Sequence, residues 1–335
     1  MPQLADTPLS VLDLAPIRQG GTATEAFAQA VALARHVEGL GFKRFWLAEH
    51  HNMPGIASSA TSVLIGHIAG QTSTIRVGSG GVMLPNHAPI VIAEQFGTLE
   101  ALYPGRIDLG LGRAPGTDPL TTRALRRDLA DDENAFPRNV QELLALLAAP
   151  GELQRVRAVP GSGSNVPVWL LGSSTFSAQL AGMLGLPFAF ASHFAPQRLM
   201  EAIDVYRHFF KPSEYLEKAH LMVGLPVIAA DSDEQAHYLA TSTYQRLINL
   251  VRGRPTVLVP PVESMDGLWD EREEAYVRSH LGVAIIGGPE TVRQRLEAFV
   301  EQTGADELII TSDFYEPADR MRSFDIIAAA KSGGA

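Results

Sequence analysis

Cysteine is absent from this sequence of 335 residues. Disulfide bonds, thiolate-bound metal ions and a cysteine nucleophile are therefore excluded, and redox chemistry would need a bound cofactor. Long hydrophobic runs are also missing, because no apolar stretch approaches the ~18 residues that span a bilayer. The first ten residues, MPQLADTPLS, lack a basic stretch followed by an apolar one, so we expect no export signal and a cytoplasmic location.

Positive charge is scarce, with 27 Lys and Arg against 37 Asp and Glu and a formal net charge of −10. The few basic residues that cluster lie among acidic ones: Arg123, Arg126 and Arg127 are interspersed with Asp118, Asp128, Asp131 and Asp132. A nucleic-acid interface needs a basic surface, so we expect none. The 46% of apolar residues are enough to bury the core of a soluble globular protein.

Short runs with strand character alternate with helical stretches along almost the whole chain. The strand runs are 9–15, 42–50, 75–84, 106–112, 166–173, 187–192, 221–230 and 306–312, and the helical stretches are 23–39, 59–72, 89–102, 133–148, 175–184, 196–210, 232–250 and 317–330. Several strands are apolar on both faces, as in a parallel sheet covered by helices. Eight strand–helix pairs predict an α/β protein with a (β/α)8 TIM barrel, formed by one domain over 1–335.

Three segments are longer than simple connections: 113–132, 150–165 and 252–288. The first follows the fourth strand and should lie at the C-terminal mouth, where barrel enzymes carry their sites. The second leads into a strand and should lie at the opposite end. The third is too long and too varied for a linker, and it fits a lid, an extra packing element or a dimer contact.

The stretch WLAEHHNMPG, residues 46–55, places Glu49, His50 and His51 at the C-terminal end of the second strand. Side chains alternate along a strand, so His50 shares a face with Trp46 while Glu49 and His51 point the other way. At most one histidine then faces the barrel axis. We predict that His50 donates or accepts a proton near neutral pH and that its neighbours fix the strand end.

A metal site is the alternative for these three side chains. It would need ligands that converge from one face or from several strands. The remaining candidates, His67, His87 and His193, are scattered singly along the sequence. We therefore predict no metal site.

Glycines interrupt the third strand in VGSGGVMLPNHAP, residues 77–89. Gly78, Gly80 and Gly81 weaken a run that its valines would otherwise favour as strand. Such glycines mark either a bulge or a place where a ligand approaches the backbone. From the strand pattern alone, a barrel bend without a ligand is an equally good interpretation.

Two further segments predict an anion site at the mouth. In LGLGRAPGTD, Gly110 and Gly112 are followed by Arg113 and a chain break, so this is not a dinucleotide fingerprint. An arginine at the end of strand four suits a phosphate, although it also suits a surface ion pair. In LLGSSTFSAQLAG, Ser173 and Ser174 lead into a helix whose first N–H groups can bind an anion or be capped by the serines.

Four blocks of this sequence, GFKRFWLAEHH, IRVGSGGVMLPNHAPIVIAEQ, YPGRIDLGLGRAPGTD and IIGGPETVRQRLEAFVEQTGADELIITS, together resemble the bacterial luciferase-like family of flavin-dependent monooxygenases. The resemblance covers nearly the whole chain. The first three blocks are similar to the subgroup built from one uniform chain. The resemblance implies a TIM barrel that binds reduced FMN at its mouth, reacts it with O2 and oxygenates a small organic substrate.

The resemblance also implies roles for particular residues. His50 matches the family's catalytic histidine, which is expected to assist proton transfer beside the flavin. Gly80 and Gly81 match the dipeptide that luciferase joins by a cis peptide against the flavin ring. Arg113, Ser173 and Ser174 match positions that hold the FMN phosphate. A separate NAD(P)H-dependent flavin reductase would supply the reduced FMN, and the family implies a homodimer formed through the helices beside strands two and three.

Two departures limit what the resemblance implies. The catalytic chain of luciferase has a reactive cysteine where this sequence has Gly112 and a glutamate where it has Ser173. Light emission and specificity for long-chain aldehydes are therefore not expected. Two other functions use the same features: hydride transfer with a deazaflavin coenzyme, and non-catalytic binding of flavin.

Overall fold

The strands and helices alternate along the chain in a computed structural model that describes residues 3–114, 116–125, 135–254 and 256–333. The strands are β1 Leu9–Asp13, β2 Arg44–Leu47, β3 Arg76–Met83, β4 Ile107–Gly112, β5 Val168–Gly172, β6 Phe188–Phe190, β7 Leu221–Ala229, β8 Ile285–Gly287 and β9 Glu307–Thr311. The helices are α1 Ala23–Gly39, α2 Thr61–Ala69, α3 Pro89–Leu102, α4 Pro119–Leu125, α5 Ala135–Leu147, α6 Thr175–Leu184, α7 Leu199–Phe209, α8 Asp233–Val251, α9 Glu271–His280, α10 Pro289–Thr303 and α11 Pro317–Lys331. None of these helices is long and apolar enough to cross a membrane.

The sheet closes into a barrel of eight parallel strands. β1 to β6 pair in sequence, β7 pairs with β6 and β9, and β9 pairs with β1. Each of the eight predicted strand runs contains one barrel strand, so the predicted (β/α)8 TIM barrel is confirmed. The short β8 lies outside the ring and pairs with the end of β7 at Val227, Ile228 and Ala229.

The second strand is shorter than predicted. β2 ends at Leu47, so Glu49 and both histidines follow it. The carbonyl of Ala48 accepts hydrogen bonds from the hydroxyls of Ser58 and Thr61 instead of from a neighbouring strand. The backbone N–H of His50 donates to the Ser58 carbonyl at 3.0 Å. This connection to α2 ends the ladder and holds the segment at the mouth of the barrel.

The long segments carry structure that the sequence did not predict. The segment 252–288 contains α9 and β8, and α10 follows it. α9 packs against α8, so part of this segment is an extra packing element. Within 113–132, α4 covers Pro119–Leu125, and residues 126–132, including the basic cluster at 126–127, lie outside the described residues.

Alternate residues of each strand point into the barrel. Each strand therefore contributes an inward series of side chains, which runs from the N-terminal end of the barrel to its C-terminal mouth. The middle of the interior is a small apolar cluster that includes Trp46 and Trp169, whose rings meet edge to face with centroids 5.2 Å apart. Beyond that cluster the same series reach the mouth. Three of them are Ser10, Leu12 and Leu14; Arg44, Trp46, Ala48 and His50; and Glu307, Ile309, Thr311 and Asp313.

The N-terminal end of the barrel interior, opposite the mouth, is closed by buried ion pairs. Arg44 donates to Asp108 at 2.6 Å and to Glu307 at 2.9 Å, and both carboxylates are fully buried. Lys43 also reaches Glu307, at 3.1 Å, and Arg76 reaches Asp108 at 2.6 Å. A polar plug of this kind stabilises a fold only while every charge keeps its partners.

Replacing Glu307 by glutamine should lower the free energy of unfolding by about 3 to 5 kcal/mol, because it leaves Arg44 buried without its second carboxylate. Urea unfolding followed by circular dichroism measures this change. Glu297→Gln is the control, since its ion pair with Arg293 lies on the surface and should contribute no more than about 0.5 kcal/mol. Equal losses of unfolding free energy in the two variants would contradict the claim that the buried ion pairs stabilise the fold.

The contribution of Glu307 should also depend on pH. Burial raises the pKa of this carboxyl, but contact with His220 and the charges of Arg44 and Lys43 prevail and lower it from 4.5 to about 2. Because the folded value lies below the unfolded one, the contribution is complete above roughly pH 5 and is lost as the pH falls toward 2. The difference in stability between the wild type and Glu307→Gln should shrink across that window.

Candidate active site

A deep cavity opens at the C-terminal mouth of the barrel, and it has two adjoining chambers. Five residues, Leu12, Gly80, Met83, His193 and Phe194, line both chambers. The Arg113 chamber is further lined by Gly81, Arg113, Ser173 and Ser174, and the Arg246 chamber by His50, Arg246, His280 and Asp313. All six site residues predicted from the sequence therefore lie on the wall of one cavity.

The Arg113 chamber ends at the N-terminus of α6. Ser174 is the residue before the first turn, and its side chain accepts no capping hydrogen bond. The guanidinium of Arg113 lies over the ring of Phe176 in that turn, 4.4 Å from its centroid. Within the described part of the chain Arg113 forms no ion pair. A stacked cation beside N–H groups that lack an intrahelical partner is an arrangement that binds anions.

The glycine pair forms the floor between the two chambers. The peptide bond from Gly80 to Gly81 is cis, and the register between β3 and β4 shifts between Ser79 and Val82. A Cβ at Gly80 would lie 2.6 Å from the Leu12 side chain, and one at Gly81 would lie 2.8 Å from the Gly110 carbonyl oxygen. Only glycine fits both positions, so the cavity meets bare backbone here.

His50 lines the Arg246 chamber, and its tautomer follows from its hydrogen bond. Nδ1 lies 3.2 Å from the carbonyl oxygen of Gly116. Because a carbonyl can only accept, Nδ1 carries the proton and Nε2 carries the lone pair. Burial lowers the pKa of His50 from 6.5, more than the hydrogen bond to Gly116 and the charge of Glu49 raise it. The imidazole is therefore neutral at pH 7, with Nε2 able to take up a proton.

Glu49 and His51 are part of the scaffold beside the cavity. One carboxylate oxygen of Glu49 accepts from His51 and from His87, each at 2.9 Å. The other accepts from the backbone N–H of Met83 at 3.0 Å. Glu49 thus joins the residues after β2 to the end of β3. Among the described residues, no group of three or more His, Asp or Glu is arranged to hold a metal ion.

His193 is a cavity residue that the sequence analysis left as a single scattered histidine. It lies in the turn that follows β6 and lines the cavity together with Ala189 and Ala191. Gly224 on β7 leaves space for it, since a Cβ there would lie 2.7 Å from its Nδ1. Burial lowers its pKa to about 3, and the neighbouring His280 and His50 act in the same direction. His193 is therefore uncharged at neutral pH.

Three further polar residues were also missed, and they line the Arg246 chamber together with His50. Arg246 on α8 donates through Nη2 to the carboxylate of Asp313, and His280 is the last residue of α9. Asp313 follows β9 in the inward series, so strand alternation could have found it. Arg246 and His280 lie on helices, and the sequence carries no signal that turns those helices toward the mouth.

Comparison with known sequences gives a match over most of the chain. The pattern of the luciferase-like monooxygenase family matches residues 7–307. The YvbT protein of Bacillus subtilis is 59% identical over 97% of this chain and 97% of its own. A luciferase-like monooxygenase of Escherichia coli is 52% identical over 96% of each chain. An N-acetyl-S-alkylcysteine monooxygenase of Bacillus subtilis is 32% identical, over 96% of this chain and 97% of its own.

Solved structures share the fold. Apo-MsnO8 superposes with a TM-score of 0.87 at 33% identity, covering 97% of this chain and 98% of its own. A type II Baeyer-Villiger monooxygenase from Pseudomonas putida, in complex with FMN, has a TM-score of 0.74 at 18% identity over 98% of each chain. An F420-dependent secondary alcohol dehydrogenase has a TM-score of 0.64 at 16% identity, covering 96% of this chain and 99% of its own. Below 25% identity, the likeness concerns the fold alone.

Proposed function

This chain belongs to the luciferase-like monooxygenase family, and we propose that it is an FMN-dependent monooxygenase that uses reduced FMN and O2 to oxygenate a small organic molecule. One observation carries the proposal. A single cavity joins the anion site of Arg113 and the α6 N-terminus to the chamber lined by the neutral His50. This is the combination that a phosphorylated cofactor and a proton-transfer step both need.

The Arg113 chamber suits FMN at both of its ends. A phosphate dianion needs a cation and several N–H or O–H donors, which Arg113, the first turn of α6 and the hydroxyls of Ser173 and Ser174 offer. The inner walls are apolar and include Leu12, Leu171 and Ile309. A flat ring system can lie against such walls, with the bare Gly80–Gly81 peptide beneath it.

Bound reduced FMN would supply the two electrons with which O2 is activated, so that one oxygen atom enters the substrate and the other becomes water. The protein itself binds and orients the cofactor and the substrate, and it keeps water out of the cavity. Nε2 of His50 can hold or release a proton because Nδ1 is engaged by Gly116. His193 stays neutral beside it and does not compete as an acid.

We also propose that a separate NAD(P)H-dependent flavin reductase supplies the reduced FMN. A protein that reduced its own flavin would need a nicotinamide site. After β4, the Gly110-x-Gly112 segment continues into Arg113 and the mouth loop and does not open a helix on the sheet, so it offers no pyrophosphate site of the dinucleotide-binding kind. O2 and the organic substrate would then be the remaining partners.

Equilibrium titrations with FMN, riboflavin and the deazaflavin coenzyme F420, followed by flavin fluorescence, test the proposal. FMN and riboflavin differ only in the phosphate. If the Arg113 site holds that phosphate, FMN should bind at least about tenfold more tightly than riboflavin. Equal affinities would remove the phosphate site from the proposal, and a protein that binds FMN in neither its oxidised nor its reduced form would end it.

A deazaflavin-dependent hydride transfer is the second candidate. The similar fold of the F420-dependent secondary alcohol dehydrogenase favours it. F420 binding much tighter than FMN binding, with no reaction of the reduced coenzyme with O2, would select this candidate. Tight binding of oxidised FMN with no oxygen chemistry of the reduced form would instead select a flavin-binding protein without catalytic activity.

We propose further that the protein is a homodimer formed through α2 and α3. These helices carry apolar side chains on the surface: Val63 is 72% exposed and Leu102 is 62% exposed. Substituting arginine at both positions should convert the dimer into a monomer in analytical ultracentrifugation. Leu153→Arg is the control, because Leu153 is 95% exposed outside these helices. A wild-type protein that sediments as a monomer contradicts the proposal.

A further inference from the structure

Two residues that line the Arg246 chamber carry polar atoms that the protein itself leaves without partners. Nε of Arg246 and Oγ1 of Thr243 are each buried and have no hydrogen bond, and both residues line this chamber. The other walls are mostly apolar and include Leu14, Met53, Ile56, Ile228, Leu247 and Ile286. A buried donor without an acceptor costs free energy. We therefore expect a ligand that has few polar atoms to supply the missing acceptor.

The two donors on α8 are held in fixed places. Thr243, Arg246 and Leu250 are three and four residues apart, so they lie on the face of α8 that meets the chamber. Asp313 accepts from Nη2 of Arg246 and so fixes the guanidinium plane. The remaining donors of that plane are thereby oriented before any ligand enters, which is what specific recognition needs.

The net charge of the chamber is close to zero. The charge of Arg246 is balanced by Asp313. The histidines that face them, His50, His193 and His280, all have a pKa lowered mainly by burial, so they are neutral at pH 7. A carboxylate entering here would lose its hydration and meet the like charge of Asp313. An uncharged oxygen acceptor avoids both the loss of ionic hydration and the repulsion from Asp313.

We infer that the substrate is a largely apolar, uncharged molecule whose carbonyl oxygen accepts hydrogen bonds from Nε of Arg246 and from the hydroxyl of Thr243. This inference deepens the proposed function and rests on it, because it names the class of molecule to be oxygenated. The two groups of α8 hold the oxygen acceptor, and the apolar remainder contacts the apolar walls of the chamber.

Three probes that share a hexyl chain test this assignment: methyl hexyl ketone, the alkene in which a methylene replaces its carbonyl oxygen, and heptanoate. Binding is measured by isothermal titration with the wild type, both free and loaded with FMN. The ketone should bind about tenfold or more tightly than either the alkene or heptanoate. Tighter binding of heptanoate, equal binding of all three probes or no binding of any would overturn the inference.

Two variants test whether Thr243 and Arg246 recognise the ketone. Thr243→Val removes a hydroxyl that has no partner in the protein, so folding should be unaffected while the preference for ketone over alkene falls about fivefold. Arg246→Lys keeps a cation for Asp313 but removes Nε and should act in the same direction. Thr24→Val, at an exposed position on α1, is the matched control. A preference that survives both chamber variants would overturn the inference.

The same titrations separate this inference from the proposed function. Failure of FMN to bind would contradict the proposed function while the ketone preference of the free protein could still be measured. Normal FMN binding without a ketone preference would overturn only the substrate class.

Discussion

Replacing Arg113 by alanine should weaken FMN binding by about 10- to 100-fold, because a charged, bidentate hydrogen bond to phosphate contributes that much. Arg113 is exposed and stacks only on Phe176, so the fold should be unchanged. Riboflavin has no phosphate, and its affinity should stay within about twofold of the wild type. Quenching of flavin fluorescence on titration with protein measures both affinities.

Two variants accompany this measurement. Arg113→Lys keeps the charge but not the bidentate geometry, so it should fall between the alanine variant and the wild type. Arg198→Ala removes an exposed arginine that pairs loosely with Glu201 at 3.7 Å and should leave FMN binding unchanged. An Arg113→Ala protein that binds FMN as tightly as the wild type would show that the phosphate lies elsewhere.

Replacing His50 by glutamine should reduce turnover by about 100- to 10 000-fold while FMN affinity changes little, because a general acid–base group contributes that much to rate. Turnover is followed as substrate-dependent oxygen consumption with a flavin reductase and NADH. His208→Gln, at an exposed histidine on α7, is the control. If the His50 variant kept wild-type turnover, another group would have to move the proton.

The pH profile separates a proton-transfer role for His50 from a structural one. The pKa of His50 is lowered from 6.5 by burial, and the neutral imidazole is the form that can take up a proton. The wild-type rate should therefore be constant above neutral pH and fall in acid as the imidazole becomes protonated, with the midpoint of the fall below pH 6.5. This acidic limb should be missing from the residual activity of His50→Gln.

The barrel and the position of His50 could be predicted because both depend on local patterns. Eight apolar runs separated by helical periodicity require a parallel closed sheet, and strand alternation places His50 in series with Arg44 and Trp46. The same alternation, continued two residues past β9, would also have reached Asp313, whereas His193 lies in a turn after β6.

Other parts of the site depend on tertiary contacts that no local pattern encodes. Arg246 reaches the mouth because α8 turns one face toward the cavity, and His280 does so because α9 packs on α8. The end of β2 at Leu47 follows from hydrogen bonds that Ser58 and Thr61 make to Ala48. Such side-chain contacts between separate segments are decided only when the chain has folded.

The reaction of protein-bound reduced FMN with oxygen tests the central claim most directly. The protein and reduced FMN are mixed anaerobically and then with oxygenated buffer, and the absorbance spectrum is recorded until the flavin is fully oxidised. A monooxygenase should delay the return of the oxidised spectrum and give a transient spectrum that differs from both end states. A time course identical to that of free reduced FMN, in a protein shown to bind FMN, would contradict the account.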